Sequence, residues 1–298
     1  MPVQDLPALT ASALVIADLA VQLLPGEADT ASRYPPKYQP FVAPAPVDFK
    51  VWVHDRPAPD LDCGRLLFSM PGHWEIGSCQ DRLVVRRYAW PGRPSHVLTF
   101  DPADLSEGQV YWVYHRPADN PVGPDYGLEY PLDMLLYAYL LLPQPGVIFH
   151  AAGVELAGRG LLFAGPSGSG KSTLAGLWQE YPQARVLNDD RLVVRRREGV
   201  DWLYGTPWPL KGQQAVAGRA PLAAIYFLQH AGGNWLRPLG RLETVTRLVK
   251  NALPPYWDAA GMAVTLAYLE QLAERVPAFE LGFRPDASVL EFIQCQLP

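Results

Sequence analysis

The sequence predicts an α/β fold of the α+β kind in two parts, a β-rich domain over residues 1–130 and an α/β core over residues 131–298. Three observations lead there. Before residue 115, short runs rich in Val, Tyr, Trp and Phe recur between turn signals, as in antiparallel sheet. After residue 131, apolar runs of strand length alternate with longer runs of helical period. At residues 161–173 a strand-like run empties into a glycine-rich turn and then into helix-forming residues.

Composition bounds the function. With 49% hydrophobic and 18% charged residues, a chain of 298 residues can bury a substantial core. A formal net charge of −5 gives no general attraction to nucleic acid, and the basic runs Arg86-Arg87 and Arg195-Arg196-Arg197 are expected to be solvated strand ends. Cys63, Cys79 and Cys295 have neither metal-ligand spacing nor the even count of a disulfide framework. No basic leader with an apolar signal core is visible. The most apolar stretch, residues 132–149, holds Asp133 and is broken by Pro143-Gln144-Pro145-Gly146, so helix, turn and strand explain it better than a membrane span. A cytoplasmic protein without a membrane partner is expected, with homo-oligomerisation left open.

In chain order, residues 13–24 fit helix and strand equally and close at Pro25-Gly26, and residues 34–46 hold too many prolines for regular structure. Strands are predicted at residues 49–54, 65–69, 74–76, 82–88, 96–100 and 110–115. Their aromatics, including Trp52, Trp74, Trp90, Trp112, Tyr88, Tyr111 and Tyr114, read first as cross-strand packing. His54, His73, His96 and His115 lack any metal spacing and read as surface or satisfied polar groups. With no catalytic constellation in this half, its expected role is recognition of an acceptor or another protein, the alternative being a purely structural one.

Residues 133–140 are apolar on nearly every side and predict a helix buried between the halves; a strand at 147–149 then leads to His150. Further strands are predicted at 160–164, 185–187, 192–196, 202–204, 222–228, 235–239 and 278–283. Helices are predicted at 172–181, 241–253, 259–275 and 288–295, with Pro254-Pro255 splitting the second from the third. Trp208 reads equally as a ring that stacks on substrate and one that closes a turn, and Lys211 matters if its loop covers the site.

Gly165-Pro166-Ser167-Gly168-Ser169-Gly170-Lys171-Ser172-Thr173 fits G-x-x-x-x-G-K-[ST], the Walker A or P-loop pattern, between a strand and a helix. Its glycines let successive N–H groups turn around a phosphate, the helix points its positive end there, Lys171 reaches the outer phosphates and Ser172 can hold Mg²⁺. ATP or GTP with Mg²⁺ is the implied ligand. The strand at 185–187 ends in Asn188-Asp189-Asp190-Arg191. Strand alternation would aim the two acids oppositely and give them different tasks, one accepting a proton, the other holding Mg²⁺.

The order His150, P-loop, Asp189-Asp190 resembles the catalytic core of HPr kinase/phosphorylase, a family that shares its core with phosphoenolpyruvate carboxykinases. The resemblance spans about half the chain, from Pro131 onward, with specific motifs at residues 150–191. It implies Asp189 as proton acceptor, His150 ordering that base and the transferred phosphate, Lys171 on phosphates, and Ser172 with Asp190 on the metal. Where the bifunctional enzymes carry a second glycine-rich signature with a Glu, this chain has Tyr204-Gly205-Thr206-Pro207-Trp208-Pro209-Leu210-Lys211-Gly212. It is more similar to divergent HPr-kinase-like proteins of peptide-modification pathways, some of which phosphorylate serine hydroxyls. The expected activity is phosphoryl transfer from ATP to a hydroxyl of a peptide, protein or small molecule. The alternatives are a nucleotide-binding or hydrolysing regulator with no acceptor, and a carboxykinase-like enzyme acting on a small acid.

Overall fold

A computed structural model describes residues 11–27, 34–59, 61, 65–89, 94–112, 127–209 and 215–297. Cys63, Trp90, Tyr114, His115, Leu210, Lys211 and Gly212 lie outside these residues. The fold is mixed α/β, with two large sheets and few helices. The chain divides into two compact units, Met1–Tyr137 and Ala138–Pro298.

The first unit is built on β1 (Ala11–Ile16), β2 (Leu19–Pro25), a 3-10 helix (Pro36–Phe41), β3 (Val42–Ala45), β4 (Phe49–His54), β5 (Arg65–Met70), β6 (Trp74–Cys79), β7 (Arg82–Arg87), β8 (His96–Phe100) and β9 (Glu107–Trp112). They form one nine-stranded sheet in the order β3-β1-β2-β4-β9-β8-β7-β6-β5. The stretch that fitted helix and strand equally is the β1–β2 hairpin. Its two-residue turn puts Ala17 and Asp18 at φ 52° and 58°, a geometry that matches the twist of paired strands. His54 is satisfied, between Glu27 at 2.8 Å and Gln109 at 2.6 Å. The expectation of free solvated arginines at 86 and 87 is corrected: Arg86 pairs with Glu75 and Arg87 with Glu129, each half-buried.

The helix α1 (Leu132–Leu140) starts in the first unit and ends in the second. The second unit continues with β10 (Gly146–Leu156), β11 (Arg159–Ala164), α2 (Lys171–Gln179), β12 (Ala184–Asn188), β13 (Arg191–Arg197), β14 (Val200–Tyr204) and β15 (Arg219–His230). It closes with β16 (Trp235–Pro238), α3 (Arg241–Asn251), α4 (Ala259–Arg275), β17 (Ala278–Phe283) and α5 (Ser288–Cys295). β10 serves three partners along its length: residues 146–150 pair with β13, residues 151–156 pair with β11 on one side, and residues 153–156 pair with β12 on the other. The resulting lateral order is β12-β10-β11-β15-β17-β16, with β10 between β11 and β12. The tight turn at Ala157-Gly158 folds β10 back against one edge of β11, and β15 takes the other edge in parallel. β12 is left the far edge of β10. Because β11 and β12 both run antiparallel to β10, their carboxyl ends emerge at the same edge of the sheet.

β11 carries no polar side chain between Leu161 and Ala164 because both of its faces are covered. Leu162 and Ala164 join a core with Leu248 of α3 and Leu269 and Leu272 of α4. Leu161 and Phe163 join the opposite core with Leu174 and Trp178 of α2 and Val289 and Ile293 of α5. α4 is tied to β14 by Asp201, whose buried carboxylate accepts from Tyr268 Oη at 3.1 Å and from Arg275 Nε at 2.7 Å. Arg196 adds a third donor to Asp201 at 3.3 Å, and Arg195 is buried and donates to Gln144, so neither belongs to the solvated strand end expected of them.

Tyr226 of β15 lies between Phe163 and Phe279, with ring centroids 5.3 and 5.7 Å away. Its hydroxyl is buried without a hydrogen-bond partner among the described residues, and burial pushes its pKa up to about 12. An unpaired buried hydroxyl costs about 1–3 kcal/mol, so Tyr226→Phe is expected to stabilise the unit by about 1 kcal/mol, or about 2–4 °C in melting temperature. A thermal melt checks this; a lowered midpoint would mean that the hydroxyl is bonded after all.

Candidate functional site

One edge of the second unit's sheet gathers the carboxyl ends of β11, β12 and β15 with the midpoint of β10. Ligands of open α/β sheets sit at such an edge. Between β11 and α2, residues 165–170 form the glycine-rich loop. Gly170 has φ 94°, and a Cβ there would lie 2.7 Å from the Phe283 ring, so no other residue fits without displacing its neighbours. Gly165 is held by close approach: a Cβ would sit 2.6 Å from Ser169 Oγ. Gly170 caps α2 without a side chain, which leaves the positive end of that helix to an anion.

Lys171 is buried, and its ammonium donates to Gly165 O at 2.7 Å and Pro166 O at 3.1 Å. Burial pushes its pKa below the ordinary lysine range, against the opposing pull of the Asp190 carboxylate. The loop is braced by two residues that the motif does not contain. The Gly165 N–H donates to Asn251 Oδ1 at 3.0 Å, at the end of α3. His230 Nε2 lies 2.7 Å from Gly168 O, and since a carbonyl only accepts, that nitrogen carries the proton.

Asp189 and Asp190 are not on a strand. They form the corner between β12, which ends at Asn188, and β13, which begins at Arg191. The alternation argument for opposite directions therefore does not apply, and both acids, each nearly fully buried, line the same cleft. Asn188 fixes the corner: its Oδ1 accepts from the N–H of Asp190 at 2.8 Å and of Arg191 at 3.1 Å, while its Nδ2 donates to Thr206 O at 3.0 Å. Thr206 donates to Arg191 O at 2.6 Å, closing the ring. His150 Nε2 lies 3.3 Å from Asp190 Oδ1, and Arg191 pairs with the other Asp190 oxygen.

The cleft has a volume of about 310 Å³ and is lined by His150, Ser167, Gly168, Gly170, Lys171, Ser172, Thr173, Asp189, Asp190 and His230. Gly165, Pro166 and Ser169 are in the loop but not among the residues that line the cleft. Trp208 is 2% exposed, which settles its two readings in favour of closing the turn rather than stacking on a substrate. His230 is the lining residue that sequence reasoning missed. The available signal was a histidine ending a long apolar run, which gains meaning only once that run is known to lie beside β11.

Among the described residues, no group of three or more His, Cys, Asp or Glu side chains is placed to hold a metal ion, and no helix is long and apolar enough to cross a membrane. No protein-family model matches the chain, and no curated protein does. Among solved structures, an HPr(Ser) kinase/phosphatase from Coxiella burnetii is similar over 50% of this chain and 91% of its own, at 10% sequence identity and a TM-score of 0.30. A likeness at that TM-score establishes neither the fold nor the function of this chain.

Proposed function

We propose that the protein is a Mg²⁺-dependent phosphotransferase that moves the γ-phosphoryl group of ATP or GTP to a hydroxyl, in the first place a serine of a peptide or protein, with the β-rich unit selecting the acceptor. One observation carries the reading: a single cleft holds both the phosphate-binding loop with Lys171 and a pair of nearly buried acids with His150. A protein that only sensed a nucleotide would need the first half of that arrangement and not the second.

The residues fit the ligands. A loop whose conformation only glycine tolerates, the uncapped start of α2 and a buried ammonium make a donor set for polyphosphate. Ser172, Asp189 and Asp190 offer hard oxygen donors in the same cleft. Mg²⁺ takes one or two carboxylates and completes its shell with phosphate oxygens and water, so a protein-only cage is not required. When bound, the metal supplies neutralisation of charge on the transferring phosphate oxygens.

In this reading Lys171 leaves the loop carbonyls and binds the outer phosphates. Asp189 accepts the proton of the attacking hydroxyl, while Ser172 and Asp190 hold the metal. His150, set against Asp190, orients the acidic corner and the transferred group. The carbonyl and amide bonds of Asn188 and Thr206 hold that corner still, so positioning precedes substrate binding.

The test is calorimetric titration with MgATP, alongside [γ-³²P]ATP transfer to serine peptides and small hydroxyl compounds. Lys171→Ala removes a charged hydrogen bond worth about 1.5–3 kcal/mol and is expected to weaken nucleotide binding about 10- to 100-fold. Unchanged affinity in that variant would sink the assignment. Binding by the wild type without transfer to any hydroxyl would move the regulator reading ahead.

A further inference from the structure

Lateral strand order gives the cleft a direction. Asp189 and Asp190 follow β12, His150 lies on β10, the phosphate loop follows β11 and His230 ends β15, in that spatial order along the sheet edge. Neighbouring strands are about 4.8 Å apart, so the acids and His230 stand on opposite sides of the loop. A phosphate chain seated on the loop with its reacting end at the acids has its other end toward β15.

His230 is built into that far side by two contacts. Its Nε2–H donates to Gly168 O at 2.7 Å, and its ring stacks on Phe283 at 6.0 Å between centroids, with 26° between planes. The same histidine and phenylalanine crowd Gly170, where a Cβ would lie 3.3 Å from His230 Cε1 and 2.7 Å from the Phe283 ring. One imidazole thus bonds one of the loop's glycines, sits against the space that a side chain at another would fill, and borders the cleft.

We propose that His230 is a positioning residue for the nucleotide: by holding the Gly168 carbonyl it fixes the loop at the end of the phosphate chain remote from transfer, beside the α-phosphate and ribose. The inference rests on the nucleotide reading of the cleft. It assigns a recognition role to a residue outside the P-loop motif and 62 residues from its loop partner.

The experiment uses the full chain, with MgADP and a non-hydrolysable MgATP analogue titrated calorimetrically. His230→Phe keeps a ring against Phe283 and removes the donor; His230→Gln restores an N–H donor of similar reach. Loss of one neutral hydrogen bond predicts about 3- to 10-fold weaker binding of both nucleotides by His230→Phe. Affinity within about twofold of wild type is expected for His230→Gln, with melting temperatures of both variants near wild type. Wild-type affinity in His230→Phe, or equal losses in the two variants, overturns the inference. So does a loss confined to the ATP analogue, which would put His230 at the reacting end. Equal binding by wild type and Lys171→Ala would instead overturn the nucleotide reading, and the His230 assignment with it.

Discussion

Asp189→Asn should lower kcat by about 10²- to 10⁴-fold while nucleotide affinity survives, the loss expected when a general base is replaced by a group that cannot take a proton. The amide is isosteric, and the corner that carries it is held by backbone bonds to Asn188 and Thr206 rather than by the Asp189 side chain alone. Geometry should therefore persist while proton acceptance is lost. Asp190→Asn is expected to behave differently. Its carboxylate is engaged by His150 and Arg191, and losing it should raise the Mg²⁺ concentration needed for half-maximal rate. Single-turnover rates against Mg²⁺ concentration separate the two. Near-normal kcat in Asp189→Asn with metal dependence unchanged in both variants would refute the division of labour between the acids.

Asp201→Ala should be strongly destabilising although it lies outside the cleft. The carboxylate receives Tyr268, Arg275 and Arg196 while nearly fully buried, and its removal leaves a buried phenol and two guanidinium groups without their acceptor. Breaking a buried pair from one side costs about 3–5 kcal/mol, and the lower end applies because both arginines retain a route to water. A loss of about 3 kcal/mol corresponds to about 6–12 °C in melting temperature for a unit of this size. A drop under about 2 °C would mean that α4 is held by its apolar face alone. Burial first, then the charge of Asp201, raises the Tyr268 pKa well above its ordinary value. That contribution to stability is full below about pH 10, where the unfolded phenol titrates, and is lost as pH rises toward the folded-state value.

Local elements were legible because their signals are local. β4, β8, β17, α4 and α5 have the bounds that alternation and helical period suggested. The P-loop announced itself by spacing, and the Asp189-Asp190 pair by its position at the end of an apolar run. Lateral order was not legible. Nothing in residues 159–164 says that their parallel partner lies at residues 222–227, since that choice is made by long-range pairing and by the cores on both faces. Whatever depends on lateral order was hidden with it, including β10 between β11 and β12, Asn251 on the Gly165 N–H, and His230 on the Gly168 carbonyl. The corner at Asp189-Asp190 was misread as strand for a related reason. Asn188 uses its side chain to end β12 and turn the chain, and an Asn before two acids does not reveal which backbone groups it will bond.

β10 carries a consequence for how such a protein can diversify. Along its length it bonds to the strands that deliver the phosphate loop, the acidic corner and, through its own His150, the third participant. One continuous rod thereby acts as the ruler for the loop, the acidic corner and His150. The connection between β14 and β15 is pinched at its base, where the Gly205 N–H donates to Gly218 O at 2.9 Å and a Cβ on Gly205 would meet Val216 O. The neck lies between β14 and β15, and neither of these strands pairs with β10. A change of sequence that spares the β10 registers therefore keeps the mutual spacing of the loop, the acidic corner and His150.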